Sequence, residues 1–228
     1  MTAPLQLHNI VKAFGQNTVL NGINLVLKRG EVLGILGENG AGKSTLLKII
    51  SGVYQATAGT VEIEGQTFQS VTPHLAKEAG VAMIPQEFNL IPSLSIFENV
   101  FLGQEIRQPV TGLLNKSAMR KKTAEVLAEL DIALHPDILV AQLSVAEKQM
   151  VEVAKVLVFD VTIVIMDEPT TVLTDTEVAV LFRVVTALKE KGVSLIFISH
   201  KLKEIKQLCD RLLILRDGEP VYLDAVTN

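Results

Sequence analysis

The sequence predicts an α/β chain: a mixed core sheet with parallel strands, an antiparallel β part at the N-terminal end and an inserted α-helical subdomain. Three observations carry that expectation. Four short, almost wholly apolar segments, Val32 to Leu36, Val81 to Ile84, Thr162 to Met166 and Ser194 to Ile198, read as strands buried on both faces. Two longer stretches, Leu5 to Phe14 and Val19 to Leu27, have strand length and flank Gly15-Gln16-Asn17. Between Pro85 and about Leu143 the strand signals disappear.

The opening stretches pair as an antiparallel start, closed by the turn Lys28-Arg29-Gly30-Glu31. Val32 to Leu36 then runs through a glycine-rich loop into a helix, Lys43 to Ile50. The β pattern resumes at Gly59 to Ile63, with Glu64-Gly65 as its turn. Within the insert, Met119, Val126, Leu127 and Leu130 fall on one helical face, leaving Arg120-Lys121-Lys122 as the solvated side. A helix from about Thr174 to Glu190 opens with Glu177 three residues after Thr174, the capping-box spacing. Arg211 to Leu215 and Pro220 to Leu223 are joined by Asp217-Gly218, a hairpin turn. No repeat or long linker interrupts this order. Residues 1–228 therefore read as a single domain, with a helical subdomain inserted at about 87–143.

The chain has 228 residues, ample for a self-sufficient core. Twenty-one Lys plus Arg against twenty-five Asp plus Glu leave a net charge of -4, a poor field for a polyanion, so no nucleic-acid partner is expected. Trp is absent and aromatics are 4%, which leaves few rings for stacking unpaired bases. The single cysteine, Cys209, can form no internal bridge, suits a reducing compartment and reads as a small apolar residue near a helix end. No apolar run reaches the roughly 18 residues a membrane span needs. Met1-Thr2-Ala3-Pro4 has neither the basic segment nor the apolar core of a signal peptide, so a cytoplasmic location is expected.

Gly37-Glu38-Asn39-Gly40-Ala41-Gly42-Lys43-Ser44 fits G-x-x-x-x-G-K-[ST] between a buried strand and a helix, the context that motif requires. Its glycines let successive amides point inward, and the helix beginning at Lys43 adds its positive end. Lys43 can reach β- and γ-phosphates, and the Ser44 hydroxyl can ligate Mg²⁺. Ile163 to Met166 ends in Asp167-Glu168, at the edge where α/β sheets place ligands. Adjacent acids there can be a plain solvated loop. Beside a phosphate cradle, Asp167 is expected to hold Mg²⁺ and Glu168 to polarise an attacking water. His200 follows another apolar strand and is expected to sense a γ-phosphate. Gln86 follows Val81 to Ile84, where its neutral amide could bond a water or a metal-bound oxygen. His8, His74 and His135 have no comparable placement.

In this order the residues resemble the ATPase cassette of ABC transporters, over essentially all of residues 5 to 224. The family's sequence of aromatic stacker, phosphate loop, glutamine loop, signature, acidic pair and histidine reads here as Phe14, Gly37 to Thr45, Gln86, Leu143 to Glu147, Asp167-Glu168 and His200. Position alone leaves Phe14 as core or platform; the resemblance makes it the adenine platform. It also implies ATP and Mg²⁺ as ligands. The phosphate-loop residues Gly37, Asn39, Gly40, Ala41, Gly42, Lys43, Ser44 and Thr45 would hold the nucleotide, with Ser144 as a donor. Ser44, Asp167 and Gln86 would serve the metal, and Glu168, His200, Gln86 and Lys43 the hydrolysis.

Three stretches, Pro85 to Pro92, Phe97 to Gly103 and Gln149 to Lys155, are similar to the ATPases of monosaccharide importers of the ribose, xylose and galactose type. That resemblance implies a second ABC cassette in tandem or as a dimer, a membrane permease subunit and, indirectly, a periplasmic or surface sugar-binding protein. It implies a peripheral position on the inner face of the cell membrane. Members of that group carry two cassettes on one chain, so a single-cassette piece or an N-terminal cassette is expected.

Two departures stand out. The signature reads Leu143-Ser144-Val145-Ala146-Glu147 where Leu-Ser-Gly-Gly-Gln is usual, and Thr174 stands where an Asp is usual. Val145 restricts the backbone and Glu147 adds charge near a polyanion, so this cassette is expected to donate a weak signature. Other readings are an ABC ATPase with a soluble partner, a P-loop small-molecule kinase and a binding module without catalysis. Against the kinase, Arg29, Arg107, Arg120, Arg183, Arg211 and Arg216 are scattered.

Overall fold

The computed structural model describes residues 2–226. Ten strands and seven α-helices follow in the order β1 (Leu5–Phe14), β2 (Asn17–Leu27), β3 (Val32–Leu36), α1 (Lys43–Ile50), β4 (Ala58–Ile63), β5 (Gln66–Phe68), α2 (Pro73–Glu78), β6 (Val81–Ile84), α3 (Ile96–Val100), α4 (Lys116–Glu129), α5 (Val145–Leu157), β7 (Ile163–Asp167), α6 (Asp175–Glu190), β8 (Ser194–Ile198), α7 (Leu202–Leu208), β9 (Arg211–Arg216) and β10 (Glu219–Ala225). The outer sheet runs β2-β1-β4-β5 and is antiparallel; the core sheet runs β10-β9-β3-β8-β7-β6. From β9 to β6 every neighbour is parallel, and only β10 is antiparallel.

The two-residue period of the central strands divides the interior. Ile163 and Ile165 of β7, with Ile196 and Ile198 of β8, face α1 and the outer sheet, where Leu46, Leu47, Leu5 and Ile10 meet them. Val164, Met166, Leu195 and Phe197 face the opposite way, onto Val151, Ala154, Leu181 and Val185 of α5 and α6. Both faces are thus covered, which is why these strands carry almost no polar residue. β6 departs from that expectation: it is an edge strand, so Ala82 and Met83 are only half-buried.

Between β6 and β7, helices α3, α4 and α5 pack on one another around Phe97, Phe101, Met119, Leu127 and Met150. Buried Asn99 organises the approach to α3. Its Oδ1 accepts the Ile91 N–H at 2.7 Å, and its Nδ2 donates to the Ile91 and Ser95 carbonyls, both at 3.0 Å. Lys121 and Lys122 are solvated, but Arg120 is engaged, paired with Asp137 and lying over the Phe97 ring. Cys209 is buried at the end of α7, where burial first and Asp210 second push its thiol up to about 12. Among the described residues no helix is long and apolar enough to cross a membrane.

Candidate functional site

Strand register assembles the site. Ile35 of β3 and Asp167 of β7 both pair with Ile198 of β8, and Ile84 of β6 pairs with Met166. Because these strands are parallel, the loops carrying Lys43, His200, Glu168 and Gln86 all leave from one edge of the sheet.

The first loop needs its glycines for reasons visible in the packing. A Cβ on Gly37 would collide with the Leu215 carbonyl oxygen. One on Gly42, which has φ 100°, would lie 2.6 Å from the Leu20 side chain. Gly42 caps α1 without any side-chain hydrogen bond, and no acidic residue occupies the first turn. The first intrahelical bond runs from the Leu46 amide to the Gly42 carbonyl, so the amides of Lys43, Ser44 and Thr45 have no acceptor in the helix. Lys43 is nearly buried, and its Nζ donates to the carbonyls of Gly37 at 2.7 Å and Glu38 at 3.0 Å. The ammonium is therefore held inside the loop. Ala41 is buried, Thr45 half-buried, and Asn39, Gly40 and Ser44 are exposed.

The acidic pair ends β7. Asp167 is half-buried; burial pushes its carboxyl up, the Glu168 charge adds to this, and Lys43 and Lys48 oppose it. Glu168 sits at φ 48°, unusual for a side chain with a Cβ, and its amide donates to the Ile198 carbonyl at 3.2 Å. Its Oε2 lies 3.6 Å from His200 Nδ1. Glu168 and His200 thus face each other across the ends of β7 and β8. Among the described residues no three His, Cys, Asp or Glu side chains cluster to hold a metal by themselves. The donors Ser44 and Asp167 fit a hard cation whose remaining ligands would be phosphate oxygens and water.

Three predicted residues lie further out. Gln86 is exposed, two residues beyond edge strand β6. Phe14 is 45% exposed and therefore not core; its ring meets Tyr54 edge-on at 5.5 Å, and Lys12 Nζ lies 4.7 Å from its centroid. Ser144 caps α5, and its hydrogen bonds stay within that helix's own first turn. There Glu147 Oε2 accepts the Ser144 amide at 2.8 Å, so its charge is folded onto the helix end. Thr174, the other departure, caps α6 in the same way with Glu177. His8, His74 and His135 are exposed. Four of the arginines form ion pairs: Arg29 with Glu64, Arg120 with Asp137 and Arg216 with Asp217 on the surface, and Arg211 with the buried Glu31.

Two polar arrangements behind the loops escaped the sequence reading. Glu152 and Lys155 of α5 hold the Asn89 backbone, the carboxylate accepting its N–H at 2.6 Å and the ammonium donating to its carbonyl at 3.1 Å. Glu204 of α7 accepts hydrogen bonds from Thr170 and Ser199. The available signal was a carboxylate beside buried Ile205, on the face of α7 that packs inward.

The sequence pattern of the ABC transporter family matches residues 20–171. A protein of Bacillus cereus named "Ribose import ATP-binding protein RbsA" is 44% identical over 95% of this chain, and its namesake in Hahella chejuensis is 47% identical over 97%. The chain spans 44% of the length of each. Among solved structures, a nucleotide-free ATP-binding cassette from an ABC transporter superposes with a TM-score of 0.87 at 25% identity, over 99% of this chain and 92% of that one. A dimeric cassette in a post-hydrolysis state, bound to ADP and Pi, gives 0.82 at 26%, over 98% and 99%.

Proposed function

This chain belongs to the ABC transporter family, and we propose that it is the MgATP-hydrolysing cassette of a sugar importer, most simply one for a monosaccharide. The observation that carries the reading is the register that brings the phosphate loop, Asp167-Glu168 and His200 to one sheet edge. Residues 1–228 act as one nucleotide-binding domain, with about 87–143 as its helical subdomain.

In this reading the open amides at the start of α1 receive the phosphates, and Lys43 turns from the Gly37 and Glu38 carbonyls to the β- and γ-phosphates. Gly37, Asn39, Gly40, Ala41, Gly42, Ser44 and Thr45 shape and line the cradle, and the exposed Phe14 ring offers a face to adenine. Ser44 and Asp167, with Gln86, would hold Mg²⁺, which would supply charge neutralisation on the phosphates. Glu168 accepts a proton from water as its oxygen attacks the γ-phosphorus. The bond to the bridging oxygen breaks, and ADP and phosphate leave. His200, facing Glu168, donates to the γ-phosphate.

Ser144 is given across a head-to-tail dimer to the nucleotide held by a second cassette, so an isolated monomer binds ATP yet turns it over slowly. Dimer closure moves the helical subdomain. A groove of about 340 Å³, lined by Met83, Pro85, Asn89, Leu102, Val156 and Phe159, lies beside the Gln86 loop and suits a segment of a permease. The protein then sits at the cytoplasmic face of the membrane. Sugar import is supported by the names of the relatives, and a sugar-binding protein upstream of the permease completes the path.

Two variants of the assembled complex test the chemistry. Lys43→Ala weakens MgATP binding, whereas Glu168→Gln keeps binding and slows hydrolysis about 100-fold or more. A Glu168→Gln complex that hydrolyses at the parental rate refutes its role as base. Uptake of labelled ribose, xylose and galactose by vesicles carrying the complex tests the cargo.

A further inference from the structure

The backbone ladder between β7 and β8 ends at Asp167 and Ile198, with one last bond from the Glu168 amide to the Ile198 carbonyl. Beyond that point the loops bearing Glu168 and His200 must be aligned by something else. A buried carboxylate takes over. Oε2 of Glu204 accepts the Thr170 hydroxyl at 2.7 Å and the Ser199 hydroxyl at 2.6 Å, while its Oε1 lies 3.1 Å from Lys201 Nζ. Thr170 is two residues after Glu168, and Ser199 is one residue before His200. Ser199 Oγ in turn accepts the Lys201 amide at 3.0 Å. Thr170, Ser199 and Glu204 are only 2%, 1% and 6% exposed.

A carboxylate buried beside Ile205 is costly unless its oxygens are satisfied, and here one oxygen is satisfied by both loops at once. Burial acting alone would push the Glu204 carboxyl up. The Ser199 and Thr170 hydroxyls and Lys201 outweigh it and hold the group below its usual range. Removing the carboxylate leaves two buried hydroxyls without their partner and frees each loop from the other.

We infer that Glu204 is a positioning residue for hydrolysis: through Thr170 and Ser199 it sets the spacing between Glu168 and His200. The inference rests on the proposed ATPase reading and deepens it. Glu204 touches neither substrate nor the attacking water. Its effect falls on turnover, because the phosphate loop that binds the nucleotide belongs to β3 and α1, on which this bridge does not act.

The experiment compares Glu204→Ala, Glu204→Gln and Thr170→Val in the assembled complex. Glu204→Ala is expected to lower kcat about 30- to 100-fold, the cost of a misplacement near 1 Å, with KM and MgATP affinity within about twofold of the parent. Glu204→Gln, which keeps an acceptor oxygen for both hydroxyls, recovers kcat to within about threefold of the parent. Thr170→Val gives an intermediate loss and adds little on top of Glu204→Ala, as members of one network should. An unchanged kcat in Glu204→Ala, or equal losses of kcat and nucleotide affinity, overturns the inference. Amide hydrogen exchange of the nucleotide-free protein provides a readout independent of activity. In Glu204→Ala, exchange should rise at residues 170–173 and 199–201 and stay unchanged at 37–45; a uniform rise overturns the inference too. If the parental complex hydrolyses no ATP, the ATPase reading fails, while the exchange pattern still reports whether the bridge aligns the two loops.

Discussion

Two helix N-termini in this molecule are treated in opposite ways. At α1 the cap is Gly42, no carboxylate stands in the first turn, and the amides of Lys43, Ser44 and Thr45 have no acceptor in the helix. At α5 the cap is Ser144; its hydroxyl accepts the Glu147 amide at 3.2 Å while the Glu147 carboxylate accepts the Ser144 amide. Both ends carry the same partial positive charge. At α1 it is left open to an external anion, and at α5 it is met by the chain's own glutamate. Self-capping stabilises a helix, and the same carboxylate competes with any phosphate presented there. In the dimeric reading this contrast predicts a receiving site stronger than the one the cassette donates.

The largest expected effect comes from closing the open end. Gly42→Ala would push a Cβ to within 2.6 Å of Leu20 and 2.9 Å of the Val19 carbonyl at a φ of 100°. MgATP affinity should fall by more than about 100-fold by equilibrium binding, with circular dichroism confirming that the fold persists. Normal binding by a folded variant would mean that the loop's shape does not make the cradle.

Opening the closed end should act in the other direction. Val145→Gly with Glu147→Gln is expected to raise ATP turnover of the assembled complex about three- to tenfold. An unchanged rate would break the contrast between the two ends. Glu147→Ala alone should also cost about 0.5–1 kcal/mol in thermal or urea unfolding, since it removes the carboxylate half of the box and leaves the Ser144 cap in place.

The smallest effect serves as a control. Ser95 and Glu98 form a third such box at α3, with Lys116 on the same carboxylate. The Ser95 hydroxyl and amide, then Lys116, hold Glu98 at about 2, against 4.5 for an ordinary glutamate. A carboxyl held low contributes stability that is fully present above about 4.5 and is lost as the pH falls toward 2. Glu98→Gln should therefore lower the melting midpoint by about 2–4 °C at neutral pH, with the gap closing across that acid window. A gap independent of pH would show that the carboxylate's charge plays no part.

Much of this was legible beforehand because it is local. The glycine-lysine-serine loop between an apolar strand and a helix, the acids ending β7, the Thr174–Glu177 cap and the Asp217-Gly218 turn each depend on residues within a few positions of one another. Less legible were matters of direction. Glu147 shares with Ser144 the spacing that marks the Thr174–Glu177 box, but inside a signature it reads as charge facing a polyanion, and only the structure bends its carboxylate back onto Ser144. Phe14 could have been core or surface; the end of β1 leaves it exposed beside Tyr54 and Lys12. Arg120 looked like solvated charge, yet it reaches Asp137 and the Phe97 face.

The identity of each strand, loop and cap follows from short-range pattern, since backbone preference and apolar period are written within ten or so residues. Which loops share an edge follows from the strand order β10-β9-β3-β8-β7-β6, in which β3 pairs with strands more than 150 residues later. That order is chosen by burial of two sheet faces at once, a property of the whole chain that no local window contains. The meeting of Glu168 with His200, and the Glu204 bridge behind them, exist only once those distant strands lie side by side.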